Sequence, residues 1–406
     1  MNILIVNQPL NNRGDESAHK ALVRSLQNEL PHAYIIVLWV GGNMNSIEQY
    51  AVKSDYIQYV NLKPQKGFRF LFPSVVKNGH YWMLHLHPTT RKILNYYKNS
   101  DWIICAPGGI CMGGFQSWGH LFYLKIAQYL GKPIAYFGRS FGPFPTQTVD
   151  NCLFKEISLE MLRYFSFLSI RDSKTEKLAK EYEVKYESTV DTAFLDSPHM
   201  NLPDELLQLI EGGRYVVFVP NLLIWHYKYK NRISKETILD FYSKVYEVII
   251  TFYSCHRVLL LPQTFNYGTY EGDDINFFRE LKRYINDDKL VIVPDIYSSD
   301  IQQTVISGAK CVIGARYHSI VFAINNAVPF VALSYEHKIS GLLERLNLQN
   351  HMVDIEHAFE TDASIKETVC LISEKIKIAK PDFEKKQEAK DMAKNCLNKL
   401  LAVIKQ

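Results

Sequence analysis

A chain of 406 residues, 47% hydrophobic and 22% charged, is long enough for two soluble domains, and its net charge of +4 comes without the dense Lys/Arg clusters of a nucleic-acid binder. Seven scattered cysteines, with no CxxC pair, exclude a disulfide-stapled secreted framework and read as reduced thiols. No basic leader precedes the first apolar run, and no stretch reaches the about 20 apolar residues of a membrane span, so a cytoplasmic protein is expected.

In chain order, "NILIV" (2–6) reads as a buried strand and "AYIIVLWV" (33–40) as its neighbour, with a helix over "DESAHKALVRSLQNEL" between them. The turn "NNRGDESAH" uses Gly14 for tightness. The free N–H groups beside Asp15 in the first helical turn can receive an anion, and the plainer alternative makes Asp15 a helix cap. Next comes "GFRFLFPSVVKNGHYWMLHLHPTT" (67–90), an aromatic and basic segment without a motif and a candidate for peripheral contact with the inner face of a membrane. Strands follow at 101–109, 133–138 and 167–172, with helices between. "APGGICMGG" (106–114) sets Gly108 and Gly109 at a strand end, where bare backbone can approach a ligand. It matches neither a dinucleotide fingerprint nor a P-loop. Arg139 of "GRSFGPF" and Arg171 of "SIRDS" each follow a strand, and each suits a carboxylate or phosphate ligand or a structural ion pair, with Asp172 the nearest acid to Arg171.

The Pro- and Gly-bearing stretch around 197–212 reads as the interdomain connection. Beyond it, strands are expected at 215–220, 257–263, 289–294, 310–314 and 329–335, alternating with helices at 234–253 and near 273–284, 298–308 and 318–327. Continuous apolar strands between amphipathic helices imply parallel sheets covered on both faces. The fold class is therefore α/β, with two Rossmann-like doubly wound domains, 1–200 and 201–380, facing a cleft at the carboxyl ends of their strands. A Lys-rich amphipathic helix, 381–406, is expected to pack back on the first domain rather than on a membrane.

The sharpest signal is "CVIGARYHSIVFAINNAVPFVALSYEHKISG" (311–341). Arg316 and His318 fall at a helix N-terminus, where two potential cations oppose the helix dipole and each other unless an anion lies between them. Lys338 follows the next strand and should reach the same sheet edge, and Ser319, in the same turn, is expected to contact the substrate. The set suits a small, multiply charged anion. No His, Asp or Cys spacing suggests a metal site.

Together "NRGDE", "PGG", "GRSFGP", "SIRD", "VDTAFL" (190–195) and the 311–341 stretch resemble the polysaccharide pyruvyl transferase family, in the same order and over most of the chain. The resemblance implies a GT-B-like pair of domains and transfer of the pyruvyl group of phosphoenolpyruvate onto a sugar as a ketal, with no cofactor. The acceptor would be a cell-envelope or capsular glycan or its lipid-linked precursor. It implies that Arg171, Arg316, His318 and Lys338 are the catalytic set, with Arg139 standing where Gln is usual and Tyr317 where Leu is usual. Guanidinium forks fit both anionic groups of the donor, and imidazole, with an ordinary pKa of about 6.5, suits the proton transfers. A nucleotide-sugar glycosyltransferase of the same architecture is the rival reading, and a catalytically silent glycan-binding protein the third.

Overall fold

The computed structural model describes residues 1–406 except 110, 211–212, 227, 266–272 and 295. Ile110 of the glycine-rich turn and Glu211 and Gly212 of the expected connection thus lie outside the described residues. The chain divides into two compact units. The first comprises Met1–Leu10, Ala18–Asp196 and Asp391–Gln406, and the second comprises Asn11–Ser17 and Ser197–Lys390. From the sequence, residues 1–200 are expected to form one domain. The structure instead gives Asn11–Ser17 to the second unit, because the backbone there bonds to residues 263–265.

The first unit is built on seven parallel strands, β1 (Asn2–Val6), β2 (Tyr34–Val40), β3 (Ile57–Leu62), β4 (Trp102–Cys105), β5 (Ile134–Arg139), β6 (Phe167–Ile170) and β7 (Glu187–Ser188), in the order β3-β2-β1-β4-β5-β6-β7. Side chains alternate along each strand, so the sheet has two apolar faces. Leu4, Val6, Ile103 and Tyr136 join one core, which includes Leu71, Val75, Leu84 and Ile93 from the segment after β3. Ile3, Ile5, Val37 and Phe137 join the other, covered by Leu22, Val23 and Leu26 of the helix Arg13–Glu29. The second half of the helix Phe383–Ile404 lies on that same face through Cys396, Leu397, Leu400, Leu401 and Ile404. Its apolar stripe is thereby covered and is not offered to a membrane.

The second unit has six parallel strands, β8 (Tyr215–Val219), β9 (Arg257–Leu260), β10 (Leu290–Ile292), β11 (Val312–Gly314), β12 (Phe330–Ser334) and β13 (Met352–Asp354). Their order, β10-β9-β8-β11-β12-β13, is that of the doubly wound dinucleotide folds. The chain winds outward from β8 to β10, then crosses to β11 and winds the other way. The point of reversal lies between β8 and β11, where the backbones leaving the two strand ends diverge and leave a crevice.

Candidate functional site

At that reversal point, the backbone leaving β11 turns at once into the helix Tyr317–Asn325, with Arg316 as its N-cap residue. The turn is closed by Ser319, whose backbone N–H and hydroxyl both donate to the Arg316 carbonyl, at 3.1 and 2.6 Å. Gly314 permits this, since a Cβ there would sit 2.1 Å from Ser319 Oγ. Ser319 is completely buried. The structure therefore gives it the work of a brace for the turn, where the sequence reading expected a substrate contact.

Arg316 is 8% exposed, and its guanidinium donates through Nη2 to the carboxylate of Asp274, the first residue of the helix Asp274–Ile285. The other oxygen of Asp274 accepts the N–H groups of Gln263 and Thr264 at 2.9 and 2.8 Å. Burial works against the guanidinium charge, but the Asp274 carboxylate, with Tyr335 and Tyr242, raises the pKa of Arg316 above its ordinary value. The cation at the helix N-terminus is thus balanced by an acid inside the protein, which the sequence argument did not foresee. Arg316 Nε is buried without a hydrogen-bond partner among the described residues.

The same turn, 263–265, holds the strap 11–17. Arg13 N–H donates to the Gln263 carbonyl at 2.8 Å, Phe265 N–H donates to the Asn11 carbonyl at 2.9 Å, and the Arg13 guanidinium lies 4.4 Å from the centroid of the Phe265 ring. Asn12 Oδ1 accepts the N–H of Gly14 at 2.7 Å and that of Asp15 at 3.4 Å, so the cap of the first helix is Asn12. Asp15, for which a cap was one of two readings, lies half-buried within the first turn. Glu16 accepts from Arg13 at 2.6 Å and from Ser299 N–H at 3.0 Å, and Ser17 Oγ accepts from Gln303 at 3.0 Å. These ties bring Gly14 flat against His318, whose Nδ1 would be 1.7 Å from a Cβ at position 14. On its other sides the imidazole meets Tyr317 edge-on at 5.0 Å and Phe322 at 6.1 Å.

Lys338 is linked to Arg316 through a row of intervening side chains. The ring of Trp225, in the loop after β8, lies 5.7 Å from the Arg316 guanidinium and meets His226 edge-on at 5.4 Å. His226 Nε2 stands 3.6 Å from Glu336 Oε2, and Lys338 Nζ stands 3.3 Å from Glu336 Oε1. Burial would raise the Glu336 pKa, yet Lys338 and His226 hold it well below the usual carboxylate range. A cavity of about 550 Å³ opens further along, beside Tyr229, Arg232 and Phe359. Lys228 is paired there with Glu356, and His357 with Glu360, each at 2.6 Å. Its lining holds two acids, Glu356 and Glu360, beside Lys228 and Arg232, unlike a site built for an anion.

Arg139, Arg171, Gly108 and Gly109 belong to the first unit, and both arginines are engaged there. Arg139 donates to the carbonyls of Ala106 and Gly109, tying down the glycine-rich turn, and Gly108 at φ +150° bridges to Arg139. Arg171 is paired with Asp191 of "VDTAFL" and donates through Nε to Ser140 at 3.1 Å. The nearer acid, Asp172, instead caps the helix Ser173–Glu181 by accepting Thr175 N–H at 2.8 Å. Among the described residues no three His, Cys, Asp or Glu side chains converge to hold a metal ion.

Asp274 was illegible in the sequence because it lies 42 positions from Arg316 and meets it only through the sheet order. Glu336 was legible in principle, two residues before Lys338.

Residues 12–337 match the model of the family described as polysaccharide pyruvyl transferase, a span that includes Gly14, Arg171, Arg316 and His318 and stops one residue before Lys338. The amylovoran biosynthesis protein AmsJ of Erwinia amylovora is 22% identical over 388 residues, covering 88% of each chain. In fold, the chain is similar to a UDP-GlcNAc 2-epimerase of Neisseria meningitidis solved with UDP-GlcNAc (TM-score 0.57, 10% identity, 99% and 100% of the two chains). It is similar also to a UGT transferase of Siraitia grosvenorii solved with UDP (TM-score 0.55, 11% identity, the full length of both).

Proposed function

This chain belongs to the polysaccharide pyruvyl transferase family, and from its site we propose that the group it moves is the pyruvyl of phosphoenolpyruvate. The acceptor in this reading is a sugar of a cell-envelope or capsular glycan, or of its lipid-linked precursor, and the products are a pyruvate ketal and free phosphate. What carries the reading is the first turn of the helix Tyr317–Asn325. It sets Arg316 at the N-cap and His318 two positions on, at the reversal point of a parallel sheet, with Gly14 pressed against the imidazole.

Each side chain has a task in this chemistry. Arg316 gives one donor to Asp274, and its Nε–H has no partner among the described residues, so it can fork a carboxylate or phosphate. Lys338, held over Glu336, adds a second cation for the departing phosphate. His318 delivers a proton to the donor's methylene carbon, which leaves oxocarbenium character on the central carbon. One sugar hydroxyl attacks that carbon and the C–O bond to phosphate breaks; the second hydroxyl then closes the ketal. The two hydroxyl protons replace the one given to carbon and the one taken by phosphate. Arg139 and Arg171 serve in this reading as braces of the first unit.

The test is phosphate release from phosphoenolpyruvate in the presence of lipid-linked saccharides, with mass spectrometry of the product. Arg316→Ala and His318→Ala should each reduce turnover by about 10²–10³. Undiminished turnover in either variant, or release of a nucleoside diphosphate from a sugar donor in place of phosphate, overturns the assignment.

A further inference from the structure

The first unit carries a surface that this chemistry leaves unused. From Tyr56 to Ser100 the chain has no Asp or Glu, in a protein with 42 acidic residues among 406. The helices Leu71–Asn78, Met83–Leu86 and Pro88–Lys98 of this stretch bury Leu71, Val75, Val76, Leu84 and Ile93 in the core. Their inner faces are thus satisfied. Even so, Phe70, Trp82 and Leu86 stand 83%, 60% and 67% exposed, large apolar side chains that the core does not take up. Lys66, Arg69, Arg91 and Lys92 are exposed in the same stretch, and none forms an ion pair among the described residues. Two acids from elsewhere come near and are already engaged. Asp150 takes Lys77, and Glu160 accepts from Lys125 and Gln128 at 2.7 and 3.0 Å.

We propose that this acid-free helical segment is a docking surface for a membrane rich in anionic phospholipid. Trp and Phe are the side chains that settle at the head-group level, and uncompensated cations beside them meet the negative surface potential of such a leaflet. The charge pattern selects a lipid surface of one sign. The proposal stands independently of the reaction assigned above, since its readout is partition.

The test is co-sedimentation of the full chain with vesicles of phosphatidylcholine alone or mixed with phosphatidylglycerol. The chain should sediment with the mixed vesicles only, and less at high salt. The pair Lys66→Glu and Arg69→Glu should lower partition about tenfold or more, at about fivefold per cation. Arg91→Glu with Lys92→Glu is the second charge variant. Phe70→Ser, Trp82→Ser and Leu86→Ser combined should abolish binding, with the melting temperature unchanged because all three are exposed. A chain that stays in solution with phosphatidylglycerol vesicles, or folded variants that partition like the wild type, overturns the proposal.

Discussion

Gly14 and His318 occupy adjoining space: the imidazole lies where a side chain at 14 would begin. Gly14→Ala must turn the ring or lift the strap, and a displacement of about 1 Å at a reacting group costs on the order of 10²-fold in rate. We expect phosphate release to fall by about that factor and stability to fall by about 1–3 kcal/mol, and steady-state kinetics beside thermal denaturation would check both. The two engaged arginines divide differently. Breaking the buried pair Arg171–Asp191 takes a cation away from a buried acid, so Arg171→Ala should destabilise the chain by about 3–5 kcal/mol in urea unfolding. Asp274→Asn should cost a similar amount and also weaken donor binding, since it removes the counter-charge that orients Arg316. Arg316 and His318 were legible in the sequence because two polar residues interrupted an apolar βαβ pattern. Asp274 and Asn12 were not, because a counter-ion and a cap are chosen by proximity in space.

Among the elements, the central strands were plain in the sequence and the edges were not. β3, β7 and β13 are three of the four outermost strands of the two sheets. Their residues are only partly buried, so they lack the continuous apolar run that marks a strand covered on both faces. Segment 67–90 gave no motif and folds as short helices against the first core. Helix Phe383–Ile404 shows what one element contributes. Each of Leu397, Leu400, Leu401 and Ile404 withdrawn from water contributes about 1.5–3 kcal/mol, as an upper bound. Ending the chain at Lys390 would expose that face of the first sheet, and we expect aggregation on size-exclusion chromatography. Leu400→Ala should remain monodisperse with a lowered melting point, at a cost of about 2–5 kcal/mol.

At the scale of the whole molecule, two buried imidazoles of the first unit set its acid limit. Burial, aided by Lys20 and Arg24, pushes the pKa of His19 down to about 3, and burial, aided by Arg139, pushes that of His120 well below its ordinary value. Both are neutral in the folded chain while the unfolded chain takes up protons near pH 6.5. Stability should therefore be fully present above about pH 6.5 and decline below it, by up to about 1.4 kcal/mol per pH unit for each group. For His19 that decline ends near pH 3. Denaturation midpoints at successive pH values would show the slope, and His19→Gln should flatten it. The alternation of apolar strands and amphipathic helices by itself determined two doubly wound sheets, because burial on both faces leaves a strand no polar side. It also singled out Arg316 and His318 as candidates for the site, because polar residues at a strand end interrupt an otherwise apolar βαβ pattern. Only the tertiary structure decided that the strap 11–17 belongs with the second unit, that Gly14 seats the imidazole, and that Asp274 balances Arg316. Each depends on backbone hydrogen bonds and charge pairs between segments far apart in the chain, and sheet order, which no local pattern encodes, brings those segments together.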